Sequence, residues 1–152
     1  MRLSTRGRYG LRAMVDLALH YGQGPVALKS IADRQNVSDH YLEQLMGSLR
    51  KAGLVSSVRG AQGGYELVRR PAEITVGDVV RALEGPIAPV ECVSEAADAA
   101  SVCGMINTCV TRLVWAKLRD SIAEVLDSIT LEDLCAEARE LQSKQDAFMY
   151  YI

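Results

Sequence analysis

Between Leu28 and Val68 the hydrophobic period of this chain switches once, from that of a helix to that of a strand, and the order of the switch restricts the fold severely. Leu28, Ile31 and Ala32 mark a short helix that breaks at Gln35-Asn36-Val37. Ser38 is placed to cap a second helix with the apolar stripe Tyr41, Leu42, Leu45, Met46 and Leu49, which Gly53 closes as a left-handed cap. Directly behind it, Leu54-Val55-Ser56-Ser57-Val58 and Tyr65-Glu66-Leu67-Val68 read as strands joined by Arg59-Gly60-Ala61-Gln62-Gly63-Gly64. Two short helices across a tight turn, followed by a hairpin, are the sequence form of a helix-turn-helix with a wing. The hairpin tip lacks the lysine and the serine or threonine of a phosphate-binding P-loop, so its glycines suit close approach to a sugar-phosphate chain rather than nucleotide binding.

The flanking segments are helical. Ser4 or Thr5 can cap a helix carrying Leu11, Met14, Val15, Ala18 and Tyr21, stopped by Gly22, Gly24 and Pro25. Thr75 caps another through Val76, Val79, Val80 and Leu83, with Asp78 near its positive end and Gly85-Pro86 as terminator. No period is sustained from residue 86 to about 107. From Cys109 an amphipathic stretch runs through Val110, Leu113, Val114, Leu118, Ile122, Val125, Leu126 and Ile129, too apolar to stay unpaired in a small domain, and it reads as a dimerisation helix. Thr130 caps a last helix with Asp133 at the capping-box position, ahead of Phe148-Met149-Tyr150-Tyr151-Ile152. The expected architecture is mainly α with a small β-hairpin wing: a winged helix-turn-helix over residues 1–85, a cysteine-containing sensor loop over 86–108, and a dimerisation helix with a C-terminal helix and tail over 109–152.

Charge separates the two ends. Residues 1–71 hold 11 Lys and Arg against 5 Asp and Glu, net +6, whereas 72–152 hold 6 against 14, net −8, as expected if only the front half meets phosphates. In the helix that follows Ser38, the outward side chains are Asp39, His40, Glu43, Gln44 and Ser48, flanked by Arg50 and Lys51. Glu43 can accept from cytosine N4, and Gln44 can pair bidentately with adenine. Ser38, Tyr41, Arg2, Arg6, Arg8 and Arg59, with Gly60 and Gln62 at the wing tip, would position the DNA backbone. At 152 residues and 49% hydrophobic the chain can bury a sizeable core. No apolar run approaches a membrane span and no apolar segment follows the first charges, so a cytoplasmic location is expected.

Cys92, Cys103 and Cys109 crowd into one polar stretch behind this module. Without a secretory signal, thiols at this density are more often ligands or redox centres than disulfide staples. A structural zinc site would need four good ligands where three stand, and Cys135 on the last helix reads as a small buried hydrophobe. There is no nucleophile motif and no carboxylate pair around a histidine, which argues against an enzyme. A small electron carrier could use the thiols but would need no recognition helix.

Three stretches carry a family resemblance: Leu3-Ser4-Thr5-Arg6-Gly7-Arg8-Tyr9-Gly10, Tyr41-Leu42-Glu43-Gln44-Leu45 and Val58-Arg59-Gly60-Ala61-Gln62-Gly63-Gly64-Tyr65. Together they resemble the IscR/CymR family of regulators, whose members control iron-sulfur or cysteine metabolism. The resemblance implies a homodimeric bacterial transcription regulator on a palindromic double-stranded DNA operator. It also implies an iron-sulfur cluster, of the 2Fe-2S type, on Cys92, Cys103 and Cys109. In IscR-like relatives a histidine three residues after the last cysteine completes the site; here that position is Arg112, which cannot ligate, with Trp115 fixing the alignment. The fourth ligand stays open, with Glu91, Glu95 and Asp98 as local oxygen candidates. A thiol redox switch is the alternative. Leu126 to Leu134 and the ending Ala147-Phe148-Met149-Tyr150-Tyr151-Ile152 look more like the CymR branch, which lacks the cysteine loop and works with cysteine synthase. The terminal isoleucine also resembles the tails of serine acetyltransferases that dock into that enzyme.

Overall fold

The computed structural model describes residues 3–96 and 101–151, so Arg2, Asp98 and Ile152 lie outside the described residues. Six helices and one hairpin follow in the order α1 (Thr5–Leu19), α2 (Leu28–Gln35), α3 (Asp39–Lys51), β1 (Val55–Val58), β2 (Gly64–Leu67), α4 (Val76–Glu84), α5 (Arg112–Ser128) and α6 (Leu131–Tyr150). The expected winged helix-turn-helix with a long following helix is what is found.

Local chemistry explains most of the boundaries. Ser4 accepts from Gly7 N–H at the start of α1, and Ser38 accepts from Tyr41 N–H at the start of α3. Thr75 with Asp78 and Thr130 with Asp133 form reciprocal capping boxes that start α4 and α6. Asn36 takes the left-handed conformation (φ 53°) that ends α2 and turns the chain into α3. The expected start of the long helix is corrected by three residues: α5 begins at Arg112, and Cys109 lies in the turn before it. The β-branched pair Val110-Thr111 and the absence of a side-chain cap there fit a ragged start of 3-10 type bonds, Leu113 N to Val110 O and Val114 N to Thr111 O.

One core joins both ends of the chain. Met14 and Leu17 of α1, Ile31 of α2, and Leu42, Leu45, Met46 and Leu49 of α3 are buried together with Val55, Val79, Leu131 and Cys135. Cys135 is thus a buried hydrophobe, and α6 is anchored on α1. A smaller cluster of Val76, Val80 and Ile87 receives Ile122 and Leu126 from α5 and Ile129 just after it.

Two clips fix the wing and the tail. β1 and β2 pair antiparallel from Val55–Leu67 to Val58–Gly64, and Val26 and Tyr65 exchange both backbone hydrogen bonds at 2.8 Å, which ties the wing to the entrance of α2. Gly64 makes that approach possible, because a Cβ there would run into the Val26 carbonyl and its φ is +153°. The second clip joins Val76 N to Ile129 O (2.8 Å) and Leu131 N to Ile74 O (2.9 Å), so the α5–α6 junction is held to the start of α4.

Candidate nucleic-acid interface and cysteine segment

α3 buries Leu42, Leu45, Met46 and Leu49 and so turns Asp39, His40, Glu43 and Gln44 outward, all exposed. The Gln44 amide lies 3.2 Å from His40 Nε2, and Ser48 accepts from Arg6 at 2.9 Å. Arg50 donates to Ser57 Oγ on β1 at 3.2 Å and thus bridges helix and wing, while Lys51 and Arg8 are exposed. Arg59, Gly60 (φ +111°) and Gln62 form the exposed wing tip. Ser38 is exposed but engaged as the α3 cap. Tyr41 is half-buried: its ring meets Tyr9 edge-on at 6.2 Å and its hydroxyl is enclosed without a hydrogen-bond partner, so its contribution in this structure is to seat α3 on α1.

Behind this face, an ion pair orients α2. Asp16 of α1 is 5% exposed and receives Arg34 Nη2 at 2.6 Å, Arg34 Nε at 2.8 Å and Gln35 Nε2 at 3.2 Å. Glu84, at the end of α4, accepts from the backbone N–H groups of Ser4 (3.0 Å) and Gly7 (3.1 Å), an anion at the positive end of α1.

The cysteine segment opens with a 3-10 turn, Glu91–Val93, that the sequence pattern did not reveal. Val93 is buried, Cys92 and Cys109 are partly exposed, Cys103 is exposed and Glu91 points to solvent. Arg112 donates to the Cys92 carbonyl at 3.1 Å and Arg119 to the Val93 carbonyl at 2.9 Å. Glu95 is committed to Arg81. Thr111 Oγ1, 3.1 Å from Cys109 Sγ, and then the Arg112 N–H hold the Cys109 thiol below its usual range; burial pushes the Cys135 thiol up.

The family model described as "Rrf2: Iron-dependent Transcriptional regulator" matches residues 3–137. The chain belongs to the Rrf2 family. The Rrf2 member CymR of Bacillus subtilis is 50% identical over 152 residues, spanning all of both chains. A solved structure of CymR, described as the global cysteine regulator of that organism, superposes with a TM-score of 0.73, covering 90% of this chain and 98% of that one. The structure of T. potens IscR matches with a TM-score of 0.75 at 53% identity, covering 93% and 91%. This Rrf2 protein is therefore a transcription regulator of a DNA-binding family, with both cysteine-regulator and IscR relatives.

The thiols suit an iron-sulfur cluster in chemistry but not in placement. Three soft donors are present and Cys109 is already held toward thiolate. Among the described residues, however, no three His, Cys, Asp or Glu side chains converge on one point. His20 sits at the end of α1 against the Asp16 carbonyl (2.8 Å), and His40 lies on the outer face of α3. In the sequence Arg112 stands out only as a missing ligand; its hold on the Cys92 carbonyl, that of Arg119 on the Val93 carbonyl and that of Arg81 on the Glu95 carboxylate join residues too distant along the chain for a local pattern to announce.

The depressed Cys109 thiol gives an expected result. At neutral pH iodoacetamide should label Cys109 faster than an unperturbed cysteine in a denatured control, and Cys135 should stay unlabelled until the protein unfolds. Peptide mapping by mass spectrometry reads both.

Proposed function

We propose that this Rrf2 regulator is a cytoplasmic homodimer that reads a palindromic operator with α3 and the wing, and whose DNA occupancy follows the chemical state of Cys92, Cys103 and Cys109. The attachment of the cysteine segment to α5 carries this reading: Arg112 and Arg119, both on α5, hold the carbonyls of Cys92 and Val93. A change of bonding at the thiols that redraws this turn pulls on α5.

α5 is the proposed dimer helix because none of its residues is buried, although Leu113, Val114 and Val125 are 68%, 56% and 57% exposed. An apolar face of that extent suits a two-fold partner surface. Two α3 helices related by that axis would enter successive major grooves, roughly 34 Å apart. Asp39, His40, Glu43 and Gln44 would then face base edges. Arg2, Arg6, Arg8, Arg50, Lys51 and Arg59 would face phosphates, so affinity should fall steeply with salt.

The family description and three soft donors favour an iron-sulfur cluster as the sensed species. Such a group would supply redox-active iron and sulfide at the segment. Among the described residues, Glu91 is an exposed local oxygen donor, whereas Glu95 is engaged by Arg81. The depressed thiol of Cys109 favours direct thiol oxidation as the second reading. The identity with CymR supports genes of cysteine metabolism as targets. The exposed Phe148, Met149, Tyr150 and Tyr151 leave a surface for a partner such as cysteine synthase.

Purification without oxygen, followed by visible spectroscopy and iron and sulfide analysis of the wild type and of each cysteine-to-alanine variant, separates these chemistries. The cluster reading expects a coloured protein that loses iron when Cys92, Cys103 or Cys109 is replaced. A colourless, iron-free protein after reconstitution would leave the thiol switch.

A further inference from the structure

One guanidinium joins the DNA-binding unit, the long helix and the cysteine segment. Arg81 projects from α4, which packs against α1 and α3 in the winged unit. Its Nη1 and Nη2 donate to the two carboxylate oxygens of Asp127 on α5 at 2.6 and 3.0 Å. Its Nε and Nη2 donate to those of Glu95 at 3.1 Å each. Both pairs are bidentate, Glu95 on the Nε/Nη2 edge and Asp127 on the Nη1/Nη2 edge, the geometry in which arginine binds a carboxylate most specifically. Glu95 lies just beyond the Glu91–Val93 turn, whose carbonyls Arg112 and Arg119 hold from the other side.

The arrangement is built around Arg81. Gly77, one turn earlier on α4, leaves the space the pair occupies, since a Cβ there would collide with the Asp127 carboxylate and crowd Arg81 Nη1. The guanidinium is one positive charge between two negative ones, and without it Glu95 and Asp127 repel. Withdrawal of the Glu95 arm therefore leaves Arg81 with Asp127 alone and frees the cysteine segment from α4.

We infer that Arg81 is the positioning residue that couples the cysteine segment to the DNA-binding unit, by holding Glu95 and Asp127 together against α4. This rests on the proposed link between thiol state and operator occupancy. Coupling of two sites is reciprocal, so operator DNA must alter the cysteine segment as much as the segment alters operator binding.

The test uses the full-length protein with its thiols reduced and metal removed. The rate of iodoacetamide labelling at Cys92 is measured with and without a saturating operator duplex, in wild type, Arg81→Lys and Asp127→Asn. Lysine keeps the charge but cannot bind two carboxylates bidentately. Thermal melts confirm that each variant is folded, and Asp127→Asn, which keeps the Glu95 arm, covers the case in which Arg81→Lys does not fold. The expected result is an operator-dependent change of about fivefold or more in wild type, which vanishes in Arg81→Lys and shrinks in Asp127→Asn. The same change in wild type and both variants would overturn the role of Arg81 while leaving thiol sensing intact. No change in wild type would overturn the coupling itself, and with it the proposed link between the thiols and DNA.

Discussion

Leu118→Asp is expected to convert the proposed dimer into a monomer and to lower operator affinity by two orders of magnitude or more. Leu118 lies on the outer side of α5 with Leu113, Val114 and Val125, which are exposed among the described residues. In a two-fold dimer one substitution places two carboxylates in the apolar seam, each costing several kcal/mol to desolvate. A single winged unit would keep its half-site contacts but lose the second half, and affinity drops accordingly. Sedimentation velocity gives the oligomeric state and an operator titration gives the affinity. Because α5 packs on the rest of the fold through its other side, by Ile122 and Leu126, the variant should melt as a folded monomer. An unchanged dimer would remove α5 from the interface.

The largest stability effect should come from Arg34→Ala. The Asp16 carboxylate is 5% exposed and relies on Arg34 for its two shortest hydrogen bonds, while the Arg34 side chain is itself 42% exposed. Removing the arginine strands a buried carboxylate with Gln35 as its main remaining donor, at a cost of about 3 kcal/mol. For a chain of this size that lowers the melting temperature by roughly 6–12 °C, compared at equal protein concentration. Asp16→Ala should cost less, since the stranded arginine can turn to solvent. The double variant should be more stable than Arg34→Ala alone, a sign that identifies charge stranding rather than lost packing. Calorimetry of the three proteins decides it. Operator affinity should fall as well, because α2 carries α3 through the Asn36 turn.

The capping residues explain how much of the fold could be read from the sequence. Ser38, Thr75 and Thr130 announce their helices because the side chain that starts each one sits within four residues of the N–H it satisfies. The hairpin is legible for the same reason: its register is set by its own turn. What stayed hidden depends on pairs far apart in the chain. The Val26–Tyr65 and Ile74–Leu131 clips involve backbone groups, which every residue carries and which leave no compositional trace. The exposed face of α3 was predictable from its buried stripe, whereas the edge-on contact of the Tyr41 ring with Tyr9 was not. The cysteine segment was legible as chemistry and not as geometry. Its thiols are visible in sequence, whereas the arginines that hold it come from α4 and α5: Arg112 and Arg119 on its backbone carbonyls and Arg81 on the Glu95 carboxylate.

Operator binding that answers to the state of Cys92, Cys103 and Cys109 must show itself in one titration. Operator affinity is measured at fixed salt for the protein purified without oxygen and for the same sample after oxidation, alongside a variant with all three cysteines replaced by alanine. A shift of about tenfold or more is expected between the two wild-type states and none in the variant. Equal affinity in both wild-type states, or an undiminished shift in the variant, would contradict it.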